Sequence, residues 1–187
     1  MGKHFSCIEP VHREFIEKQR IFFNASACAE GHVNVSPRDV ASLRVVSPNA
    51  IFYLDLTGSG NETAAHLLAD GRVTFMFCAF EGPPLILRLY GRGRVITRHS
   101  PEYDRLLAEH FAGQETPGAR QMIWLDVDLV QTSCGMNVPL YEYQGPRDQL
   151  IRWAGKKGPE GLETYWREKN SQSIDGFETP FAEQFTR

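Results

Sequence analysis

A mainly β fold of the α+β class, an antiparallel barrel closed or partly closed and flanked by helices, is predicted by three features of the sequence. Six or so short apolar runs follow one another in hairpin order, with turn residues between them. The helical stretches are few and short, and they do not alternate with strands as a doubly wound sheet requires. Closure also removes the exposed edges that such strands would leave.

The elements follow in order. Residues 12–20 read as an amphipathic helix with Phe15 and Ile16 inward. Residues 21–29 form a first strand, Glu30-Gly31 a tight turn, and residues 32–36 a second strand that Pro37-Arg38-Asp39 ends. Residues 44–46 and 50–56 supply a third strand, interrupted by Ser47-Pro48-Asn49. Residues 63–70 place Ala64, Ala65, Leu67 and Leu68 at helical spacing, and Gly71 stops that helix. Residues 72–80 and 85–97 make a hairpin about Glu81-Gly82-Pro83-Pro84. A helix over 101–111 carries Tyr103, Leu106, Leu107 and Phe111 on one face. Residues 122–130 alternate Ile123, Leu125, Val127 and Leu129 against Trp124, Asp126 and Asp128, a half-exposed strand. From Arg147 the pattern is helical to Asn170, broken at Gly158-Pro159, and a polar tail follows. At 187 residues the chain is one domain, with the barrel at 15–133 and a loop, helical extension and tail at 134–187.

Composition excludes several functions. A net charge of −3 supplies no basic surplus for nucleic acid. Gly91-Arg92-Gly93-Arg94 lies in a strand and marks close backbone approach. Cys7, Cys28, Cys78 and Cys134 are scattered without metal spacing, which argues against zinc and against a disulfide framework; Cys28 and Cys78 read as buried thiols. Charges interrupt the first twenty residues, so no secretory signal or membrane span is expected and the cytoplasm is the expected compartment.

Chemistry concentrates at Asp55-Leu56-Thr57-Gly58-Ser59-Gly60-Asn61-Glu62-Thr63, where a strand hands over to a helix. Free N–H groups and a positive dipole end suit a phosphate there. Ser59 and Glu62 also read as a capping box that satisfies the helix itself. A helix end contributes about 0.3–1 kcal/mol to an exposed anion, against roughly 8 kcal/mol for micromolar binding. A cation must help, and Arg38 is the first candidate. His66, His32, Tyr53, Trp124, Asp126 and Asp128 read as structural or solvated groups.

The ordered set of Val33-Asn34-Val35-Ser36-Pro37-Arg38, Phe52-Tyr53-Leu54-Asp55-Leu56, the junction into Thr63-Ala64-Ala65-His66-Leu67, and the hairpin of residues 73–80 with 87–95 resembles the pyridoxamine 5′-phosphate oxidase-like proteins. These are flavin-binding split β-barrels. The stretch from Thr132-Ser133-Cys134-Gly135 through Ser173-Ile174-Asp175-Gly176 is similar to a subgroup distinct from the oxidase proper. The resemblance implies a homodimer with FMN in clefts between two barrels. It places Asn34, Val35, Ser36 and Arg38 against the cofactor, and Asp55, Thr57, Ser59, Gly60, Asn61 and Thr63 about the ribityl phosphate.

The family's oxidases carry an Arg-Lys pair at the helix start. Thr63 and Ala64 stand there in this chain, leaving Arg38, Arg44 and Arg88 as candidate cations. No basic counterpart of the oxidase's substrate-binding C-terminus is evident in residues 174–187, which argues against oxidation of pyridoxamine phosphate. The expected function is FMN-dependent hydride transfer on an unknown small molecule, with no catalytic residue assigned. The alternatives are a deazaflavin-dependent reductase, or a flavin- or haem-binding carrier or sensor without turnover. Apolar strand faces around Phe75, Phe77 and Tyr90 are a further reason to expect a dimer.

Overall fold

The computed structural model describes residues 2–184 and is built on one curled sheet, with β-strands of up to 15 residues. The elements are β1 (Lys3–Phe5), α1 (Pro10–Lys18), β2 (Ile21–Ser26), β3 (Asn34–Asp39), β4 (Leu43–Ser47), β5 (Ala50–Leu56) and α2 (Glu62–Ala69). Then come β6 (Arg72–Cys78), β7 (Ile86–Thr97), α3 (Pro101–Phe111), β8 (Ala119–Ser133), α4 (Gln149–Lys169) and α5 (Pro180–Gln184). The pairings named between strands are antiparallel, in the order β3-β2-β6-β7-β8-β5-β4, with β1 beside β8.

β7 and β8 pair from Ile86↔Ser133 to Thr97↔Gln121 and slip register between Tyr90 and Gly91. Such a bulge bends and twists a sheet. A methyl group at Gly91 would land on the Asp126 carbonyl oxygen, so the glycine marks the close backbone approach expected from its sequence context.

β5 is apolar from Ala50 to Leu54 because both of its faces are covered there. Ile51 and Tyr53 join Phe22, Phe75, Phe77, Leu89 and Ile123 in the main core. Phe52 and Leu54 join Tyr103, Leu106 and Met122 beneath α3. Phe75 and Phe77 are fully buried against Phe22, and Tyr90 donates to Gln131 Oε1 at 3.0 Å. The first two therefore do not form the dimer surface expected of them, because the barrel interior has room for both rings.

Other expectations change for local reasons. Pro37 does not end its strand but sits within β3, opposite Phe23. β3 is an edge of the sheet, where a missing N–H costs no ladder bond. The interrupted third strand is a hairpin of β4 and β5, reversed by the turn at Pro48 and Asn49. β1 was too short to carry a pattern, and β8 begins at Ala119 rather than Met122. Cys78 is buried but Cys28 is partly exposed beyond the end of β2.

The C-terminal extension makes its own small core from Ala154, Leu162, Trp166 and Phe181. α4 is two helices across Gly158 (φ +66°, ψ 174°), where the sequence placed the break. No helix among the described residues is long and apolar enough to cross a membrane.

Candidate functional site

Asp55 lies at the end of β5, where the register with β8 shifts. It pairs with Gln121, while Leu56 pairs with Ala119, so Arg120 is the extra residue of a bulge. A bulge re-aims a side chain. Both Arg120 and its neighbour Gln121 thereby reach Asp55, which strict alternation would forbid. Arg120 Nε donates to Asp55 Oδ2 at 2.8 Å and Gln121 Nε2 donates to the same oxygen at 2.9 Å. From β3, Arg38 Nη2 stands 3.3 Å from Oδ1.

Asp55 and Arg120 are buried, with side chains 2% and 1% exposed, whereas Arg38 is 23% exposed. Burial alone would push the Asp55 carboxyl up, but Arg120 and Arg38 outweigh it and hold the group below the usual carboxylate range. Burial disfavours the Arg38 charge, and Asp55 more than restores it. Burial drives the Tyr53 hydroxyl well above its ordinary value, against the pull of Arg38. Two guanidinium groups thus share one carboxylate, and the trio carries one positive charge in surplus. Asp55 Oδ1 faces Arg38 Nη2, while Arg38 Nε and Gln121 Oε1 are buried without a hydrogen-bond partner.

Arg38 also lines a cleft of about 1600 Å³ between the barrel and residues 141–151. Phe15, Leu54, Phe80, Tyr141 and Tyr143 share that lining. Tyr141 meets Phe80 edge-on at 5.4 Å, and Arg20 lies over the Tyr143 ring. The cleft is open and partly aromatic, and its rim mixes charges: Lys18, Arg20 and Arg147 stand among Glu14, Glu17 and Glu81, with Arg38 on its wall.

The glycine corner is different. Thr57 Oγ1 donates to Gly118 O at 2.7 Å and accepts from Trp166 Nε1 at 2.8 Å. Gly58 O accepts from Asn170 Nδ2 and Gly60 O from Arg120 Nη1. Asn61 Oδ1 accepts from Gln121 Nε2 at 2.7 Å. Thr63 Oγ1 accepts from Asn24 at 2.6 Å and from Asn34 at 3.1 Å, and Ser36 Oγ donates to Asn34 Oδ1. Ser59 is exposed at the tip and Val35 faces outward. Glu62 forms no capping box with Ser59; it accepts from the Ile174 N–H, and the helix N-cap is Asn61.

These contacts tie the corner to its own chain. The side chains of Thr57, Asn61 and Thr63 face their own chain, and residues 166–174 close over the loop, so this donor set does not fit a phosphate. The Arg38 side of Asp55 does fit one, since its charge is in surplus and the partly exposed Arg38 lines the cleft. The backbone of β3, an edge strand from Asn34 to Asp39, is open for further hydrogen bonds.

The other candidates are occupied. Arg44 donates to the carbonyls of Ala41, Leu43 and His110, and Arg88 donates to Ser133. His66 is buried against Ser26 Oγ at 3.0 Å. Trp124 stacks on Phe52, and Asp126 and Asp128 are exposed. Sequence reasoning missed Arg120, Gln121, Trp166 and Asn170. A charged residue just before the apolar start of the 122–130 run is the one signal for the first.

A profile of the family described as pyridoxamine 5′-phosphate oxidase matches residues 8–134. The pyridoxamine 5′-phosphate oxidase family protein ustO of Aspergillus flavus is 38% identical over 180 residues, which is 88% of this chain and 72% of that protein. Among solved structures, a HupZ variant from Group A Streptococcus superposes with a TM-score of 0.53 at 16% identity, covering 67% of this chain and 99% of that one. A candidate pyridoxamine 5′-phosphate oxidase from Lactobacillus delbrueckii gives 0.52 at 16% identity, over 67% and 94%. At such identities the likeness is one of fold, and the fold is the split barrel.

Proposed function

This chain belongs to the pyridoxamine 5′-phosphate oxidase family, and from that premise we propose that it binds FMN in the cleft beside Arg38 and acts as an oxidoreductase on a small molecule. The observation that carries the reading is the surplus positive charge of Arg38, Asp55 and Arg120 at the wall of an aromatic cleft. FMN, when bound, supplies a ring nitrogen that accepts and returns hydride.

The chain's own residues do the rest. Arg38 would hold the phosphate, with Asp55 fixing its guanidinium and Arg120 keeping Asp55 ionised. Asn34, Val35 and Ser36 would offer the β3 backbone to the cofactor. Tyr141 and Tyr143 would cover the site from water. A cleft of about 1600 Å³ exceeds the roughly 300–1,000 Å³ of an ordinary ligand site, which leaves space for a substrate beside the cofactor.

The same reading makes the protein a homodimer. Met136, Leu140 and Tyr141 are 80%, 73% and 63% exposed on one loop, more than a lone chain gains from leaving in water. Light scattering at micromolar concentration tests this, and a monomer counts against it.

One observation favours a second reading, a carrier or sensor without turnover. Asp55 is held ionised between two arginines and Tyr53 is pushed far up, so neither is poised to give or take a proton near neutrality. Visible spectra after titration with FMN, a deazaflavin or haem separate the cofactors. Reduced cofactor that no substrate reoxidises faster than free solution favours the carrier.

A further inference from the structure

Arg120 is matched unlike Arg98, Arg94 and Arg72. Arg98 forms a bidentate pair with Glu115, Arg94 with Glu102, and Arg72 with Asp70. Each has a carboxylate to itself, or nearly so. Arg120 is the most deeply buried of the four, yet it shares Asp55 with Arg38. Its other acceptors are neutral: Gly60 O at 2.9 Å and Asn170 Oδ1 at 2.8 Å.

Asn170 ends α4 and is fully buried. Its Nδ2 donates to Gly58 O at 3.2 Å, and its carbonyl accepts from Thr179 Oγ1 at 2.6 Å and from Asn61 Nδ2 at 3.4 Å. The side chain joins the C-terminal extension to the glycine corner and to Arg120. As an isolated structural partner for a buried guanidinium, a carboxylate would serve better, because it would balance the charge as well as accept the bond. The nearby Glu62 does not supply that balance to Arg120, since it is bonded to the Ile174 N–H. Asp39 is exposed and accepts from Ala41 N.

We propose that Asn170 is a positioning residue that sets the charge of the cleft: a neutral acceptor at this point holds Arg120 in place while leaving the Arg38–Asp55–Arg120 trio one positive charge for an anionic ligand group. This rests on the reading of the cleft as a phosphate-bearing cofactor site. It gives the C-terminal extension a part in ligand binding although Asn170 touches no ligand. The route runs from Asn170 through Arg120 and Asp55 to Arg38, each link a hydrogen bond or ion pair.

The test uses the full-length chain and two probes, FMN followed by flavin fluorescence and inorganic phosphate followed by the shift in Tm, with Tm also read in the absence of ligand. Asn170→Asp keeps the acceptor for Arg120 and cancels the surplus charge. It replaces the Nδ2 donor to Gly58 O by an acceptor, so it is expected to lower Tm no more than Asn170→Ala does, yet to weaken both probes about tenfold or more, the effect of removing one charge near an anion at intermediate dielectric. Asn170→Ala loses the bonds without adding charge, and is expected to lower Tm with a smaller loss of affinity. Where Asn170→Asp does not fold, Arg120→Gln removes the same charge from the other side, and the same tenfold loss is expected. Affinity that follows Tm alone through these variants, or Asn170→Asp binding phosphate as the parent does, overturns the proposal. Phosphate binding by the parent without FMN binding overturns the cofactor reading and leaves this one standing. A parent that takes neither probe overturns both.

Discussion

Arg38 and Arg120 approach Asp55 from opposite oxygens, at 3.3 Å on Oδ1 and 2.8 Å on Oδ2, so one buried carboxylate ties the edge strand β3 to the end of β8. The pair of contacts fastens the barrel and charges its cleft at once, and both effects can be tested on these three side chains.

Stability should fall in acid with a component that belongs to Asp55. Its carboxyl is held below the ordinary range in the folded chain, so its contribution is complete above the unfolded value near 4. That contribution is lost as the pH falls through the depressed folded value. Urea unfolding of the parent and of Asp55→Asn between pH 7 and pH 3 should show the variant less stable at neutrality and the difference shrinking toward acid. A gap that stays constant with pH contradicts the ion-pair account.

Removing Arg120 takes the closer of two cations from the buried Asp55 and leaves the Gly60 carbonyl and the Asn170 amide oxygen unmet. Arg120→Met should cost about 3–5 kcal/mol by chemical denaturation, the range for breaking a buried pair. A loss under about 1 kcal/mol would mean the network is dispensable.

Trp166 docks the C-terminal helix on the barrel through Nε1 to Thr57 and by stacking on Phe181. Trp166→Phe should cost about 1 kcal/mol for the lost hydrogen bond, and Trp166→Ala about 3–5 kcal/mol for the cavity. Equilibrium unfolding of both variants checks the ordering.

Two glycines should respond in opposite directions. Gly91→Ala drives a methyl into the Asp126 carbonyl and should cost about 3 kcal/mol or more, through forced displacement of the β7–β8 bulge. Gly155→Ala meets open space within α4 and should stabilise by about 0.5–1 kcal/mol. Thermal melts of the two against the parent decide both.

Much of the fold could be read from periodicity, and the physical reason is the same wherever it succeeded. α3, β7 and the break at Gly158 each carry a pattern strong enough to stand without their neighbours. Pro37 misled because its meaning depends on β3 being an edge, and edges are a property of the whole sheet. The candidate site was half legible. Arg38 and Asp55 were both marked as cofactor contacts, yet nothing local says that they pair with each other. Arg120 reaches Asp55 only because of a bulge, and Trp166 and Asn170 arrive from the far end of the chain. Long-range closure of the glycine corner has no signature in the corner itself.

Titration of FMN into the purified chain and into Arg38→Met, followed by quenching of flavin fluorescence, tests the central claim most directly. The account predicts that the parent binds and that Arg38→Met, still folded by its melt, binds at least about tenfold more weakly, because the guanidinium that faces the phosphate is gone. Equal binding by the two proteins, or no binding by the parent, would contradict it.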